Sequence, residues 1–195
     1  SSPSGPAHDP GLAKRLLAEA GYPDGDNFPT DFEYLFNSSP LNKNIAVELQ
    51  RMWRDTLGIR VKLRQAEHKV YLAAQSALDY HITRSSWIGD YNDPNTFLDM
   101  FMARNGNNRT GWANADYDQL IRLANATPDL AKRNAMFREA ETILIADELP
   151  IAPLFFYVGI NIYDPDRIGG IHPNILDIHP VNAIHTIKPG QAAKK

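Results

Sequence analysis

The sequence from residue 32 to residue 85 alternates between strand-like and helix-like patterns, and this alternation restricts the fold more than any other feature. Strands are predicted where apolar and β-branched residues cluster or alternate with polar ones, at residues 32–36, 59–64 and 80–85. Apolar residues recur at helical spacing between the strands, which predicts helices at residues 40–57 and 69–77. Because a helix between two strands makes a crossover connection, we predict an α/β fold with a largely parallel or mixed sheet flanked by helices.

Capping residues mark where the predicted helices begin and end. Asp9 and Ser39 are good N-caps, and each precedes a proline, which is favoured at the first helical position. Gly21 and Gly58 follow the last residues of these two helices, where glycine readily adopts a left-handed conformation. Trp53 lies on the apolar side of the second helix, and we interpret it as a core residue. The first helix carries an apolar stripe of Leu12, Leu16, Leu17 and Ala20.

Three more helices are predicted in the second half of the chain. A brief one is expected at residues 94–102, Asn114 is expected to cap the next, and residues 127–129 open the last. The inward-facing residues of that last helix would be Leu130, Met136, Ile143 and Leu144.

The C-terminal quarter has weaker patterns. Residues 150–163 are apolar and β-branched, which predicts one bent strand or two. Residues 164–180 are rich in Pro, Gly, Asn and Ile without a clear period, so we predict a loop with short extended pieces. Residues 181–187 are interpreted as a last strand.

Composition excludes several classes of function. The 195 residues carry a formal net charge of -3 with a pI near 6.0, which gives no indication of nucleic-acid or anionic-membrane binding. The absence of cysteine excludes disulfides, thiolate catalysis and cysteine metal sites. No apolar run approaches the ~20 residues needed to span a bilayer, and we recognise no signal peptide.

The most distinctive stretch is residues 83–94, Thr-Arg-Ser-Ser-Trp-Ile-Gly-Asp-Tyr-Asn-Asp-Pro. A strand pattern passes here into turn chemistry, because the residue before Pro94 is disfavoured in the α region. A cation, a large aromatic side chain, a flexible glycine and two acids lie between the two ends. This pattern favours a rim that holds a zwitterionic ligand, and a strand end with ordinary surface charges would explain it equally well.

The Trp-x-x-Asp-Tyr-x-Asp-Pro pattern at residues 87–94 resembles the signature region of the family 5 extracytoplasmic solute-binding proteins of ABC importers. More narrowly, it resembles the oligopeptide-binding group, and the resemblance runs from about Asp9 to about Lys188. Further blocks fit in the family's order, at residues 9–23, 57–61, 111–114 and 147–154. The resemblance implies a type II periplasmic-binding-protein-like fold, of which this chain looks like the C-terminal lobe.

The resemblance assigns the charged ends of a peptide to two residues. Asp90 matches the family aspartate that takes the peptide α-amino group. A carboxylate suits this role because it forms charge-assisted hydrogen bonds with an ammonium group. Arg84 matches a cation that meets the carboxylate of a short peptide, with a structural salt bridge as its alternative role.

Five further residues complete the implied binding site. Ser86, Trp87 and Ile88 match the segment whose backbone pairs with the peptide, and Trp87 would also wall a side-chain pocket. Asn37 and Tyr157 fall on positions that line the pocket, with turn capping and plain packing as their alternative roles.

Three positions depart from the family pattern. His68 stands where the best-known oligopeptide binders carry a tryptophan, and Asn42 and Gln75 stand where they carry basic residues available to the carboxylates of longer peptides. The departures leave open which peptide length, or which other solute, the site prefers.

Two chemical alternatives receive less support. Asp90 and Asp93 could form a carboxylate pair for glycoside hydrolysis, but shaping of the turn before Pro94 by Asp93 is a simpler account. His172, His179 and His185 lie six or seven residues apart in irregular chain, so we interpret them as surface histidines and expect no metal site.

We therefore expect the C-terminal lobe fragment of the substrate-binding component of an ABC transporter that imports oligopeptides. It would not be an enzyme and would need no cofactor. Its partners would be an oligopeptide and a membrane permease, in a periplasmic or extracytoplasmic location, with self-association through the exposed cleft face. The alternatives are a stand-alone protein-interaction module with the same fold and a binder of a sugar or metal chelate.

Four segments are predicted along the chain. Residues 1–8 would be a linker or an expression remnant, and residues 9–163 the α/β lobe. Residues 164–188 would be a return segment toward the other lobe, and residues 189–195 a flexible tail.

Overall fold

A parallel sheet of three strands forms the centre of the first half of the protein. The computed structural model describes residues 5–187, so the predictions for residues 1–4 and 188–195 lie outside it. The strands are β1 (Glu33–Asn37), β2 (Lys62–Ala66) and β3 (Ile82–Thr83), in the order β2-β1-β3. Tyr34 of β1 lies opposite Leu63 of β2 and Ile82 of β3, and both pairings are parallel. The prediction of crossover connections and of an α/β fold is therefore confirmed.

The first two helices of this half begin at the predicted N-caps, whereas the third begins one residue earlier than predicted and is capped by Glu67. They are α1 (Pro10–Glu19), α2 (Pro40–Leu57) and α3 (His68–Ser76). The Asp9 side chain accepts from the amide of Leu12 (2.8 Å), and Ser39 Oγ accepts from the amide of Asn42 (3.1 Å). Gly58 ends α2 with a φ of 74°, a left-handed conformation that favours glycine.

Alternate residues of a strand point to opposite sides of the sheet. Both sides of β1 are buried, because α2 covers one and α3 covers the other. Tyr34 and Phe36 face one side, where their cluster includes Ala46 of α2 and the half-buried Trp53, as predicted. Leu35 faces the other side and packs with residues of α3 and the end of β2, namely Ala66, Tyr71 and Ala74. The strand is the central element of the sheet.

A separate helical layer follows β3 in the chain. It contains α4 (Asn95–Leu98), α5 (Ala115–Ala126) and α6 (Leu130–Thr142), with a 3₁₀ turn after α4 and a π-helical turn, Ile143–Asp147, after α6. Asn114 and Asp129 cap α5 and α6 through their side chains. The shared core consists of Leu98, Tyr117, Ile121, Ala124, Phe137, Ala140 and Leu144.

Two predicted apolar faces are only partly buried. Leu12 and Leu16 of the α1 stripe are 39% and 54% exposed, and it is Leu17 that packs against the sheet core. Leu130, expected to face inward, is 69% exposed because it is the first residue of α6 and lies before the helix meets its neighbours. The buried positions of α6 are Phe137 and Ala140.

The predicted strands at 150–163 and 181–187 are largely absent. Residues 151–163 are without regular structure and mostly exposed, with Phe156 at 95% and Ile162 at 94%. Two short strands, β4 (Ile168–Gly169) and β5 (His185–Thr186), pair antiparallel. The parallel strand pairs therefore lie in the first sheet, and the antiparallel pair lies in the second. Within residues 5–187, no helix combines the length and apolar character needed to cross a membrane.

Candidate ligand-binding site

Most of the predicted binding residues lie at or just after the carboxyl ends of β1 and β3. The amide of Arg84 donates to the carbonyl of Leu35 (2.9 Å), which extends the strand pairing one residue beyond β3. The chain then leaves the sheet, and Asn37 ends the neighbouring strand. Ligands of open α/β sheets bind outside the carboxyl ends of the strands, so the topology places these residues at a favourable edge.

The strand end that carries Arg84 is held by buried polar groups of α3. The hydroxyl of Tyr71 donates to the carbonyl of Arg84, and the side-chain amide of Gln75 donates to the same oxygen (3.2 Å). Tyr71 and Gln75 are 5% and 2% exposed, and burial raises the pKa of Tyr71. The hydroxyl therefore stays protonated as a donor, and the backbone at the rim is rigidly supported.

Two other predicted residues lie around the guanidinium of Arg84. It donates to the hydroxyl of Ser86 (3.2 Å) and to the hydroxyl of Tyr157, and it lies 6.0 Å from the centre of the Tyr157 ring. Within residues 5–187 the guanidinium has no carboxylate partner. The alternative role of a structural salt bridge is thus not seen in the described chain, and the cation is oriented by neutral groups.

Trp87 and Ile88 continue the rim in different environments. Ile88 is 69% exposed, whereas Trp87 is half-buried and its indole Nε1 is buried without a hydrogen-bond partner in the described part of the chain. Gly89 beside them is buried against α4, where a Cβ at this position would lie 3.0 Å from the ring of Phe97. The loop is therefore packed from beneath and presents its outer side to solvent.

Asp90 presents an exposed carboxylate on a fixed backbone. Its amide donates to Oγ1 of Thr96 (2.9 Å), and Thr96 is 2% exposed. The negative charge of Asp90 adds to burial in raising the pKa of Asp99, so these two acids share one region. In this chain the carboxylate faces solvent and can receive a cationic group.

Asp93 forms an ion pair, which favours the turn-shaping role over the alternative of a hydrolytic pair with Asp90. Its two carboxylate oxygens accept from the guanidinium of Arg133 at 2.6 and 2.8 Å, and one of them accepts from the amide of Asn95 (2.9 Å). The hydrogen bond from Arg133 holds the pKa of Asp93 below its usual range. Asp93 therefore shapes the turn, as the simpler interpretation predicted.

The two departures from basic residues are buried. Asn42 is 5% exposed and donates to the Oδ1 of Asn37 (2.8 Å), while Gln75 bridges the Arg84 carbonyl and the guanidinium of Arg109. Both side chains are occupied by contacts within the protein. His68 instead lies at the surface, with its ring stacked 6.2 Å from that of Tyr71.

The three histidines considered for a metal site lie in the C-terminal segments. His179 contacts Asp177 (2.8 Å) and the amide of Asn161 (3.2 Å), and His185 contacts the carbonyl of Ala183 (3.0 Å). In the described residues no group of three or more His, Asp or Glu side chains is arranged to hold a metal ion.

Arg133 and Thr96 were not identified from the sequence. Arg133 lies 40 residues from its partner Asp93 and carries no local pattern that distinguishes it from a solvated helix residue. Thr96 follows a turn in which a threonine is common, so its sequence position does not indicate a contact with Asp90. Their contribution depends on contacts that only the folded chain makes.

The fold is that of the type II periplasmic binding proteins, as the likeness to their solved structures shows. The chain belongs to the bacterial extracellular solute-binding proteins, family 5, since the model of the family's middle region matches residues 1–109. This is a family of binding proteins, not of enzymes, and its members act outside the cytoplasm.

Individual relatives agree with this assignment. The chain is 35% identical over 168 residues to the oligopeptide-binding protein OppA of Bacillus subtilis, covering 86% of this chain and 30% of that protein. It is 36% identical to the probable deoxycholate-binding periplasmic protein YgiS of Escherichia coli, covering 82% and 29%. The structure of an oligopeptide-binding protein from Borrelia burgdorferi superposes with a TM-score of 0.77 at 33% identity, covering 96% and 38%. The chain thus spans about 30% of the length of these curated relatives.

Proposed function

We propose that this chain is the C-terminal lobe of the solute-binding component of an ABC importer, and that the imported solute is an oligopeptide. The observation that carries the proposal is the rim after β3. There an exposed carboxylate, Asp90, and a guanidinium without an acidic partner in the described chain, Arg84, lie on one short segment. A zwitterionic peptide offers the two complementary charges.

The α-ammonium of the peptide would bind the carboxylate of Asp90 through charge-assisted hydrogen bonds. Asp99 shares the region, so its negative charge would add to the attraction when it is ionised. The backbone of Ser86–Ile88 has left the sheet and would pair with the extended peptide without reading its sequence. Trp87 and Tyr157 would supply aromatic walls that accept varied side chains.

Capture and delivery would require the rest of the protein. A second lobe would close over the ligand by a hinge motion, and the closed protein would deliver the ligand to a membrane permease. The lobe itself would then work outside the cytoplasm. We propose that the isolated lobe self-associates through its exposed cleft face, to which the exposed apolar segment 151–163 would contribute, because such a surface is normally covered.

Calorimetric titration of the full-length protein with a pool of tri- to pentapeptides tests the proposal. We expect micromolar or tighter binding, and Asp90→Ala should weaken it by about 2–5 kcal/mol because the bound ammonium loses its charge partner. N-terminal acetylation of the peptides should weaken binding to the wild-type protein by a similar amount. A folded wild-type protein that ignores all the peptides would refute the peptide assignment.

A non-peptide solute is the second candidate. It is favoured by the 36% identity to the probable deoxycholate-binding YgiS. Asn42 and Gln75 also offer no basic side chain for the carboxylate of a longer peptide. Titration with deoxycholate under the same conditions separates the two candidates. Binding that survives Asp90→Ala would favour the non-peptide solute, because deoxycholate has no ammonium group.

A further inference from the structure

We propose that Arg133 and Thr96 are positioning residues that hold Asp90 in the orientation needed to receive an ammonium group. The inference rests on the proposed function, since it concerns the same ligand contact. It assigns a positioning role to residues that lie on α6 and α4, outside the segment that carries the proposed ligand contacts.

Arg133 fixes the turn at residues 91–95 from the helical layer. Its two terminal nitrogens donate to the two oxygens of Asp93 at 2.6 and 2.8 Å, a bidentate geometry that sets both the distance and the angle. The side chains of Arg133 and Asp93 are only 18% and 27% exposed, so solvent screens the pair weakly. The guanidinium also lies 4.6 Å from the ring centre of the buried Phe137, which restricts its position further.

Hydrogen bonds through Thr96 connect Asp93 to the backbone of Asp90. The carboxylate of Asp93 accepts from the amide of Asn95 (2.9 Å), and its carbonyl accepts from the amide of Thr96 (3.2 Å). The hydroxyl oxygen of Thr96 in turn accepts from the amide of Asp90 (2.9 Å). A continuous series of hydrogen bonds thus joins α6 to the backbone of the residue that carries the free carboxylate.

The position of the Asp90 carboxylate depends on these hydrogen bonds to its backbone. Its carboxylate is exposed and makes no hydrogen bond within the described chain, so its position depends on its backbone alone. Gly89 packs against Thr96 and Phe97 with no room to spare, since a Cβ there would lie 3.0–3.1 Å from both side chains. Movement of the turn would therefore move the carboxylate relative to Arg84 and the rest of the rim.

The binding experiment compares trialanine with N-acetyl-trialanine on the full-length protein and its variants. Arg133→Gln and Thr96→Val should reduce the preference for the free peptide by about tenfold, within the range of couplings between residues of one network. Arg133→Lys should recover part of the preference, because it restores the charge without the bidentate geometry. The matched control is Arg138→Gln, an exposed arginine on the same helix, which should leave the preference unchanged.

The outcomes discriminate between positioning and general stability. If Arg133→Gln lowers the melting temperature while the preference for the free peptide stays at the wild-type value, the positioning proposal is refuted. If wild-type protein binds neither peptide, the proposed function fails. The positioning of Asp90 by Arg133 is then tested by amide hydrogen exchange alone.

Hydrogen exchange of the 195-residue chain needs no ligand. Positioning by Arg133 requires that Arg133→Gln accelerate exchange at the amides of Asp90 and Asn95, while the amide of Arg84, bonded to the sheet, keeps its protection. Equal exchange at Asp90 in wild type and variant would overturn the inference whatever the peptide experiment gave.

Discussion

The hydroxyl of Tyr117 on α5 donates a hydrogen bond of 2.5 Å to the carbonyl oxygen of Leu98, the last residue of α4. Tyr117 is fully buried, and burial raises the pKa of its phenol, which favours the protonated donor. Within the helical layer, the bond joins α5 to α4, the helix that follows the candidate binding segment. Loss of this contact should therefore weaken the layer on which the loop rests.

Tyr117→Phe should lower the free energy of unfolding by about 1–3 kcal/mol, because the carbonyl of Leu98 loses its donor in an apolar environment. Urea denaturation measures the change. Tyr22→Phe is the control, since Tyr22 is a half-buried tyrosine beside the other core, and its effect should be smaller. Equal stability of Tyr117→Phe and wild type would mean that the hydrogen bond makes no net contribution.

Gly58→Ala should destabilise the sheet half of the protein by at least about 1–3 kcal/mol, the usual cost of one strained backbone position. Gly58 has a φ of 74°, and a Cβ there would lie 2.1 Å from the carbonyl oxygen of Asp24, so the turn would have to move. Gly106→Ala is the matched control, because a Cβ at Gly106 meets nothing within 4 Å. Thermal denaturation of both variants checks the prediction, and a similar melting temperature for the two would contradict it.

Gln75→Lys should destabilise the protein by about 3 kcal/mol or more, because it introduces a charge into a buried site without an opposite partner. Gln75 is 2% exposed, and its Oε1 accepts from the guanidinium of Arg109 (3.3 Å), which would repel an ammonium group. Ala73→Lys, an exposed position on the same helix, should change stability little. If Gln75→Lys is as stable as Ala73→Lys, the site is more open than the structure indicates.

The ion pair between Asp93 and Arg133 predicts a specific dependence of stability on pH. The folded state lowers the pKa of Asp93 from its ordinary value of 3.8, so the pair stabilises the fold above that value, and this stabilisation is lost as the pH falls through the lowered pKa. The melting temperature of wild type should therefore exceed that of Asp93→Asn above about pH 5, and the difference should shrink below about pH 4. Melting curves from pH 3 to pH 7 test this, and a constant difference would show that the charge of Asp93 is irrelevant.

Features that depend on neighbours in sequence could be predicted well. Asp9, Ser39, Asn114 and Asp129 each cap a helix by accepting from amides two or three residues later, and this geometry needs no other part of the chain. The crossover pattern around β1 follows from the order of strands and helices in the same way. Such features can be predicted because they depend on short stretches of sequence.

Features that depend on a distant partner could not be predicted. Residues 150–163 have the composition of a strand, but a strand needs a neighbour for its backbone hydrogen bonds, and the described chain supplies none. The pairing of Arg133 with Asp93 spans 40 residues, and a helical arginine is most simply read as solvated. The roles of Asp90 and Arg84 were inferred by resemblance, and the structure shows which side chains contact these two residues.

The order of the strands has a consequence for the way the protein folds. β1 lies at the centre of the sheet but precedes both of its neighbours in the chain, so its pairings with β2 and β3 are non-local. In contrast, α5 and α6 are consecutive and share one core. Local contacts form faster than non-local ones because less loop entropy is lost. During synthesis on the ribosome, β1 emerges before both of its partner strands, so its sheet cannot form until β2 and β3 have been made. The α5–α6 pair can form its contacts as soon as α6 has emerged.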